Sequence, residues 1–232
     1  MKPLSECRLY TFVDTAYLDG RDPRRVAEAL CEGGADLVQL RAKGATVGDV
    51  TRLARALLDV TEPAGVWLVV NDHWSVACEV GAPLCHLGQE DFFGAGYVHV
   101  SELKVAHPTG AGSLDLLGGE PARAPLLGLS THAPEQALRA VAAGAADVAV
   151  GPVYPTPTKP GVRAVTLAYV RWAARHCPVP WFAIGGIHLG NVEEVLAAGA
   201  QRVCVVSAIL RAPDVRKACR ALKERLLCRT GL

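Results

Sequence analysis

Little in this chain would commit it to a nucleic acid, a membrane or a disulfide framework. The formal net charge is +1, from 24 Lys and Arg against 23 Asp and Glu. These charges are spread without a basic block, which removes the electrostatic reason to expect nucleic acid or an acidic membrane surface. No apolar run approaches the length of a membrane span. The opening Met1-Lys2-Pro3-Leu4-Ser5-Glu6 also lacks the apolar centre of a secretory signal. Eight cysteines occur, but no C-x-x-C pair. Several lie in apolar runs such as Val203-Cys204-Val205-Val206, where a thiol reads as a small buried hydrophobe. A reduced, cytoplasmic compartment is the expectation. No G-x-G-x-x-G fingerprint follows the first strand, which weighs against an open dinucleotide-binding sheet. No convincing Ser/His/Asp or Cys/His set points to a protein nucleophile.

What is present is an alternation of short apolar runs with amphipathic segments. Half of the 232 residues are hydrophobic, so the chain can bury a large core. Strand patterns fall at 8–13, 37–40, 66–70, 84–87, 126–129, 148–150, 181–184 and 203–206. Helix patterns fall at 23–32, 47–60, 74–80, 134–143, 167–176, 192–198 and 214–227. Asp22 followed by Pro23, and Asp214, are good helix starts. Gly33-Gly34-Ala35-Asp36, Gly81-Ala82, Gly144-Ala145-Ala146-Asp147 and Gly199-Ala200 each close a helix before a strand. Eight such units at this length predict an α/β fold with a parallel sheet closed into a single (β/α)8 TIM barrel. The expected organisation is one domain over 1–232. Within it, 92–125 is a longer insertion between the fourth and fifth strands, with a possible helix at 97–106.

In such a barrel the residues just after each strand gather on one face. The segment with the most specific chemistry follows the sixth strand: Gly151-Pro152-Val153-Tyr154-Pro155-Thr156-Pro157-Thr158-Lys159-Pro160-Gly161. Its prolines enforce a stiff extended loop. On that loop stand two hydroxyls and an ammonium, the groups a phosphate needs; a solvated proline-rich loop is the bland alternative. After the second strand, Gln39, Arg41 and Lys43 share one side of the chain, opposite Leu40. Arg41 offers a planar fork and Lys43 a point charge, suited to a diphosphate. Asn71-Asp72 and His86-Leu87-Gly88-Gln89-Glu90-Asp91 end the third and fourth strands. Asp72 and Asp91 could share one hard cation there, with Mg²⁺ suited better than zinc, or could cap helices. Ser130 in Gly128-Leu129-Ser130-Thr131-His132 could donate to phosphate or cap the next helix, and His132 reads as structural. Ala183-Ile184-Gly185-Gly186-Ile187 and Val205-Val206-Ser207-Ala208-Ile209 match the phosphate site that barrels build after strands seven and eight. One anion region thus carries carboxylates and the other does not, which suggests two phosphorylated substrates, one of them a metal-bound diphosphate.

Taken in order, these motifs resemble the thiamine-phosphate synthase family, over residues 9–210. The resemblance implies an enzyme, a transferase of thiamine biosynthesis. It would join 4-amino-2-methyl-5-(diphosphooxymethyl)pyrimidine to a thiazole phosphate or its carboxylated form, releasing pyrophosphate. Carried over by motif, Gln39, Leu40, Arg41, Ala42, Lys43, Asn71, Ser130 and Lys159 would bind the pyrimidine diphosphate. Arg41, Lys43, Ser130 and Lys159 would be catalytic among them. Asp72 and Asp91 would hold Mg²⁺, and Thr156, Pro157, Thr158, Gly186, Val206 and Ser207 would bind the thiazole phosphate. Ala42 departs from the family, which usually has Glu there, and the 92–125 segment is longer than the family pattern. A thiazole tautomerase of the same barrel family and a non-catalytic sensor of phosphorylated ligands are the competing readings. The resemblance implies no nucleic acid or membrane partner. Association into a homo-oligomer and the order of substrate binding stay open.

Overall fold

Eight parallel strands pair in chain order and close on themselves in the computed structural model, which describes residues 1–103, 124–156 and 163–228. The strands are β1 (Leu9–Asp14), β2 (Leu37–Arg41), β3 (Trp67–Asn71), β4 (Leu84–Gly88), β5 (Leu126–Thr131), β6 (Asp147–Val150), β7 (Trp181–Ile184) and β8 (Val203–Cys204). Pairing of Leu9 with Val203 and of Tyr10 with Cys204 joins the last strand to the first. The expected (β/α)8 barrel is therefore the observed architecture. No helix among the described residues is long and apolar enough to cross a membrane.

The helices are α1 (Pro23–Glu32), α2 (Val47–Thr61), α3 (Trp74–Val80), α4 (Gln89–Gly94), α5 (Pro134–Ala142), α6 (Thr166–His176), α7 (Val192–Ala197), α8 (Ser207–Leu210) and α9 (Val215–Leu227). Their starts are set locally. The carboxylates of Asp22 and Asp214 accept from the amides of Arg24 and Lys217, and the Thr46 hydroxyl accepts from the Asp49 amide. Gly34, Gly81, Gly144 and Gly199 all take positive φ where a helix turns into the next strand, a conformation any side chain would resist. Each helix then lays one stripe on the sheet, as α1 does with Val26, Ala27 and Leu30. Complete burial of a leucine such as Leu30, Leu57 or Leu84 contributes roughly 1.5–3 kcal/mol.

Two short helices, α4 and α8, fall where no helical period is readable, because six and four residues are too few to show one. The 97–106 helix is a correction. Its described part holds only a 3-10 turn, Val100–Glu102, and residues 104–123 lie outside the described set. Gly96 with positive φ interrupts the chain before that turn. The turn is tied down elsewhere, since the Val100 amide donates to the Ala143 carbonyl and the Glu102 carboxylate accepts from the Val98 amide.

The end of the barrel opposite the strand C-termini is knotted by Asp36, which precedes β2. Its carboxylate accepts from the amides of Arg8 and Leu9 and from the ammonium groups of Lys2 and Lys223. It thereby joins the N-terminal segment, β1 and α9. Burial pushes this carboxyl up, and the four donors more than reverse that, so it lies below the ordinary carboxylate range. A group held low stabilises the fold above its unfolded value, near pH 4, and loses that contribution as pH falls further. Asp36→Ala is expected to cost about 3 kcal/mol, the low end for breaking a buried pair because Lys2 is partly exposed. Urea unfolding should show that deficit at neutral pH and a shrinking one below about pH 4.

Candidate active site

Strand pairing sets which side chains share the barrel interior. Phe12 pairs with Gln39, Asn71 with His86, Gly88 with Ser130, and Ser130 with Ala149. Side chains in register point to the same face of a parallel sheet, so all of these turn inward. They line one cavity at the C-terminal ends of the strands, together with Tyr10, Arg41, Ile184 and Cys204. Residues of the following loops and first helical turns complete the wall, and among them are Lys43, Asp72, Asp91, Thr156, Gly186, Val206 and Ser207.

The structure thus brings together Gln39, Arg41, Lys43, Asn71, Asp72, Asp91, Ser130, Thr156, Gly186, Val206 and Ser207. It does not bring the side chains of Leu40 and Ala42 to the cavity. Both belong to the buried hydrophobic core, on the opposite parity from Gln39 and Arg41. Pro157, Thr158 and Lys159 lie outside the described residues.

Arg41 is held from behind. Its Nη1 donates to Asp14 Oδ2 at 2.8 Å, and the other Asp14 oxygen accepts from the Ala16 amide. Asp14 is fully buried, so the pair fixes the guanidinium against the wall. Lys43 and Asp72 form an ion pair at the rim. Asp72 has φ +64°, rare for a residue with a side chain, and its amide donates to the His86 carbonyl at 2.9 Å. Strained backbone of this kind gathers at functional sites. Asp72 does not cap α3: the capping position is His73, and no side-chain cap bond is made there. Asp91 sits in the first turn of α4 and lies over Gly88, where a Cβ would come within 2.6 Å of Asp91 Oδ2. Ser130 is not a cap either, because Ala133 occupies that position before α5.

The opposite wall is built by two loops joined to each other. The Val153 amide donates to the Ile184 carbonyl and the Tyr154 amide to the Gly185 carbonyl, at 2.8 and 3.1 Å. Gly185 and Gly186 both have positive φ, and a Cβ on Gly186 would meet Tyr154 Cβ at 2.7 Å and the Pro155 carbonyl at 2.8 Å. Only glycine allows the loop after β6 to lie this close to the loop after β7. Thr156 is carried to the cavity by that contact. The His132 ring is bonded to the Gly151 carbonyl and also lines the cavity.

A Mg²⁺ ion suits this donor set. Two hard carboxylates, Asp72 and Asp91, stand on one wall with Gly88 leaving Asp91 room, and phosphate oxygens would complete the shell. Among the described residues no group of three or more His, Cys, Asp or Glu could hold a metal unaided.

Three contributors escaped sequence reading. Asp14 follows the apolar run of β1 by one residue, and only the fold shows that it backs Arg41. Tyr10 accepts a hydrogen bond from Gln39 Nε2 at 2.5 Å, deep in the barrel. Asp147 opens β6 and is fully buried. A polar residue at an inward position of a buried strand was the available signal for all three.

The sequence model of the family described as thiamine monophosphate synthase matches residues 9–102 and 120–209. The interval between the two matches falls in the longer insertion. A thiamine-phosphate synthase of Thermus thermophilus is 45% identical over 203 residues, covering 86% of each chain. One from Shouchella clausii is 38% identical over 223 residues, covering 96% of each. Among solved structures, the thiamine phosphate pyrophosphorylase from Pyrococcus furiosus superposes with a TM-score of 0.77. It is 25% identical, with 98% of this chain and 99% of that one covered.

The close approach at Gly186 can be tested. Gly186→Ala should cost about 1–2 kcal/mol, because it adds a methyl into a filled contact at positive φ. It should also displace Thr156 and weaken phosphate binding about tenfold by calorimetric titration, or about 1.4 kcal/mol. Unchanged phosphate affinity would separate the loop contact from the anion site.

Proposed function

The chain belongs to the thiamine monophosphate synthase family and is a transferase that makes thiamine phosphate, and on that premise we propose how its residues divide the work. The observation that carries the division is the asymmetry of the cavity. Arg41, Lys43 and two carboxylates stand on the β2–β4 side, and the glycine-bearing loops after β6 and β7, with Val206 and Ser207 after β8, stand on the other. The β2–β4 side takes the pyrimidine diphosphate. Gln39, Asn71 and Ser130 hold its polar atoms, Arg41 forks onto the diphosphate, and Lys43 supplies a point charge. Leu40 and Ala42 contribute backbone and packing beneath them. The opposite side takes the thiazole phosphate on Thr156, Pro157, Thr158, Gly186, Val206 and Ser207.

Asp72 and Asp91 would hold Mg²⁺, and the ion, when bound, supplies neutralising charge to the diphosphate. The protein's own groups act on the same charge. Arg41, prevented from turning away by Asp14, Lys43, and the ammonium of Lys159 stabilise pyrophosphate as its bond to the pyrimidine methylene breaks. The electron-rich pyrimidine supports the electron-poor methylene left behind, and the thiazole nitrogen attacks it from the facing wall. No protein nucleophile is required. Holding both substrates across one cavity supplies orientation, a large part of what a two-substrate displacement needs.

The relatives reported above are synthases, and neither a tautomerase nor a ligand sensor finds support among them. A single domain and a cytoplasmic location complete the reading, the latter supported by cysteines that are all unpaired.

Purified protein given both substrates and Mg²⁺ should release thiamine phosphate and pyrophosphate in equal amounts. Asp72→Ala and Asp91→Ala should each lower Mg²⁺-dependent turnover by at least about 100-fold while leaving thermal unfolding unchanged. Full activity in either variant would remove the metal assignment. Lys159→Ala should lose more in kcat than in affinity for thiazole phosphate, and a pure affinity defect would move Lys159 to the other substrate.

A further inference from the structure

The mechanism above makes no use of Asp147. Its carboxyl is fully buried, and neither oxygen has a hydrogen-bond partner among the described residues. Asp147 pairs in register with Gly128 of β5, and Gly128 pairs with His86 of β4. A Cβ on Gly128 would collide with Asp147 Oδ1 and come within 2.9 Å of His86 Nδ1. The glycine is therefore what leaves room for both the carboxyl and the imidazole beside it inside the barrel. Asp147 and Gly128 each lie two residues before a cavity-lining residue, Ala149 and Ser130. The carboxyl thus sits one layer beneath the floor.

The other titratable groups that face it are Tyr10 of β1 and Cys204 of β8, with Cys85 acting on Tyr10 from the outer side of β4. Burial drives the Tyr10 and Cys204 values well above their ordinary ones, so both stay uncharged. Burial also pushes the Asp147 carboxyl up to about 7. An uncharged carboxyl both donates and accepts hydrogen bonds, unlike a carboxylate. Tyr10 already accepts from Gln39, and so has its hydroxyl hydrogen to give. An unpaired buried carboxyl is costly, and an apolar residue of similar volume is often more stable in such a place. Retaining that cost directly beneath a binding cavity points to use in binding.

We propose that Asp147 is a positioning residue whose unpaired carboxyl oxygens take up the Tyr10 hydroxyl and the neighbouring His86 ring when the pyrimidine diphosphate fills the cavity above them. This rests on the pyrimidine half of the site proposed above. The test compares Asp147→Leu and Asp147→Asn with the wild-type protein, using both substrates and Mg²⁺. Asp147→Leu should unfold at an equal or higher urea concentration than wild type. Its KM for the pyrimidine diphosphate should nevertheless rise about tenfold, with KM for thiazole phosphate unchanged. Asp147→Asn, which keeps a neutral donor and acceptor, should return that KM to within about threefold of wild type. Wild-type affinity for the pyrimidine diphosphate should fall as pH rises through about 7, and Asp147→Asn should not share that fall.

A Leu variant with wild-type KM for both substrates would overturn the proposal. So would an Asn variant as impaired as the Leu variant, since the carboxylate would then be the working form. A Leu variant less stable than wild type would make the group structural and overturn it as well. Formation of thiamine phosphate by the wild type is the control for the site reading itself. The unfolding comparison needs no substrate, so the two failures are distinguishable.

Discussion

Closure of the eight-stranded parallel sheet is the constraint on which the rest of this molecule depends. Once β8 pairs with β1, every second residue of every strand is forced into one shared interior. The lower part of that interior is filled, with Tyr10 set edge-on to Phe182 at 5.2 Å. Near the strand C-termini the side chains become polar and smaller, with Gln39, Asn71, Ser130 and Ala149, and a cavity opens among them. The packed interior and the polar cavity therefore occupy opposite ends of one barrel, the arrangement this fold favours.

Charge follows the same division. At the lower end Asp36 gathers two lysines and two backbone amides, and its partners leave it nothing further to bind. At the upper end the charges are only partly spent on each other. Arg41 is braced by Asp14 and lines the cavity, and Lys43 pairs with Asp72 at an exposed rim. The Lys43–Asp72 pair can exchange partners at modest cost because solvent already screens it, while the more deeply buried Arg41–Asp14 pair stays in place. A diphosphate with a divalent ion can enter that arrangement by re-partnering charges, without leaving one buried and alone.

Much of this was legible in the sequence because it depends on neighbours along the chain. The helix starts at Asp22 and Asp214 and the glycine closures at Gly34, Gly81, Gly144 and Gly199 are short-range devices, and they stand where the pattern put them. Alternation separated Gln39, Arg41 and Lys43 from Leu40, and Leu40 is in the core. The 97–106 helix failed because Gly96 turns the chain just before it and its described part is held by a bond to Ala143, a residue about forty positions away. For Asp72, Asp91 and Ser130 the sequence allowed capping as readily as ligand binding. Asp72 and Ser130 proved not to cap, which only the placement of His73 and Ala133 could reveal.

The sequence by itself determined the order of elements, the closed-barrel class, the family and the strand ends whose polar residues line the cavity. Those follow from periodicity and motif order, and both are properties of segments a few residues long. Only the tertiary structure decided that Asp14 backs Arg41, that the loop after β6 lies on Gly185 and Gly186, and that Asp147 and His86 both lie beside Gly128. These placements bring together residues 19 to 61 positions apart at their extremes only through barrel register, as for His86 with Asp147 and for Gly128 with Asp147. Register is a property of the closed sheet as a whole, which no single segment carries.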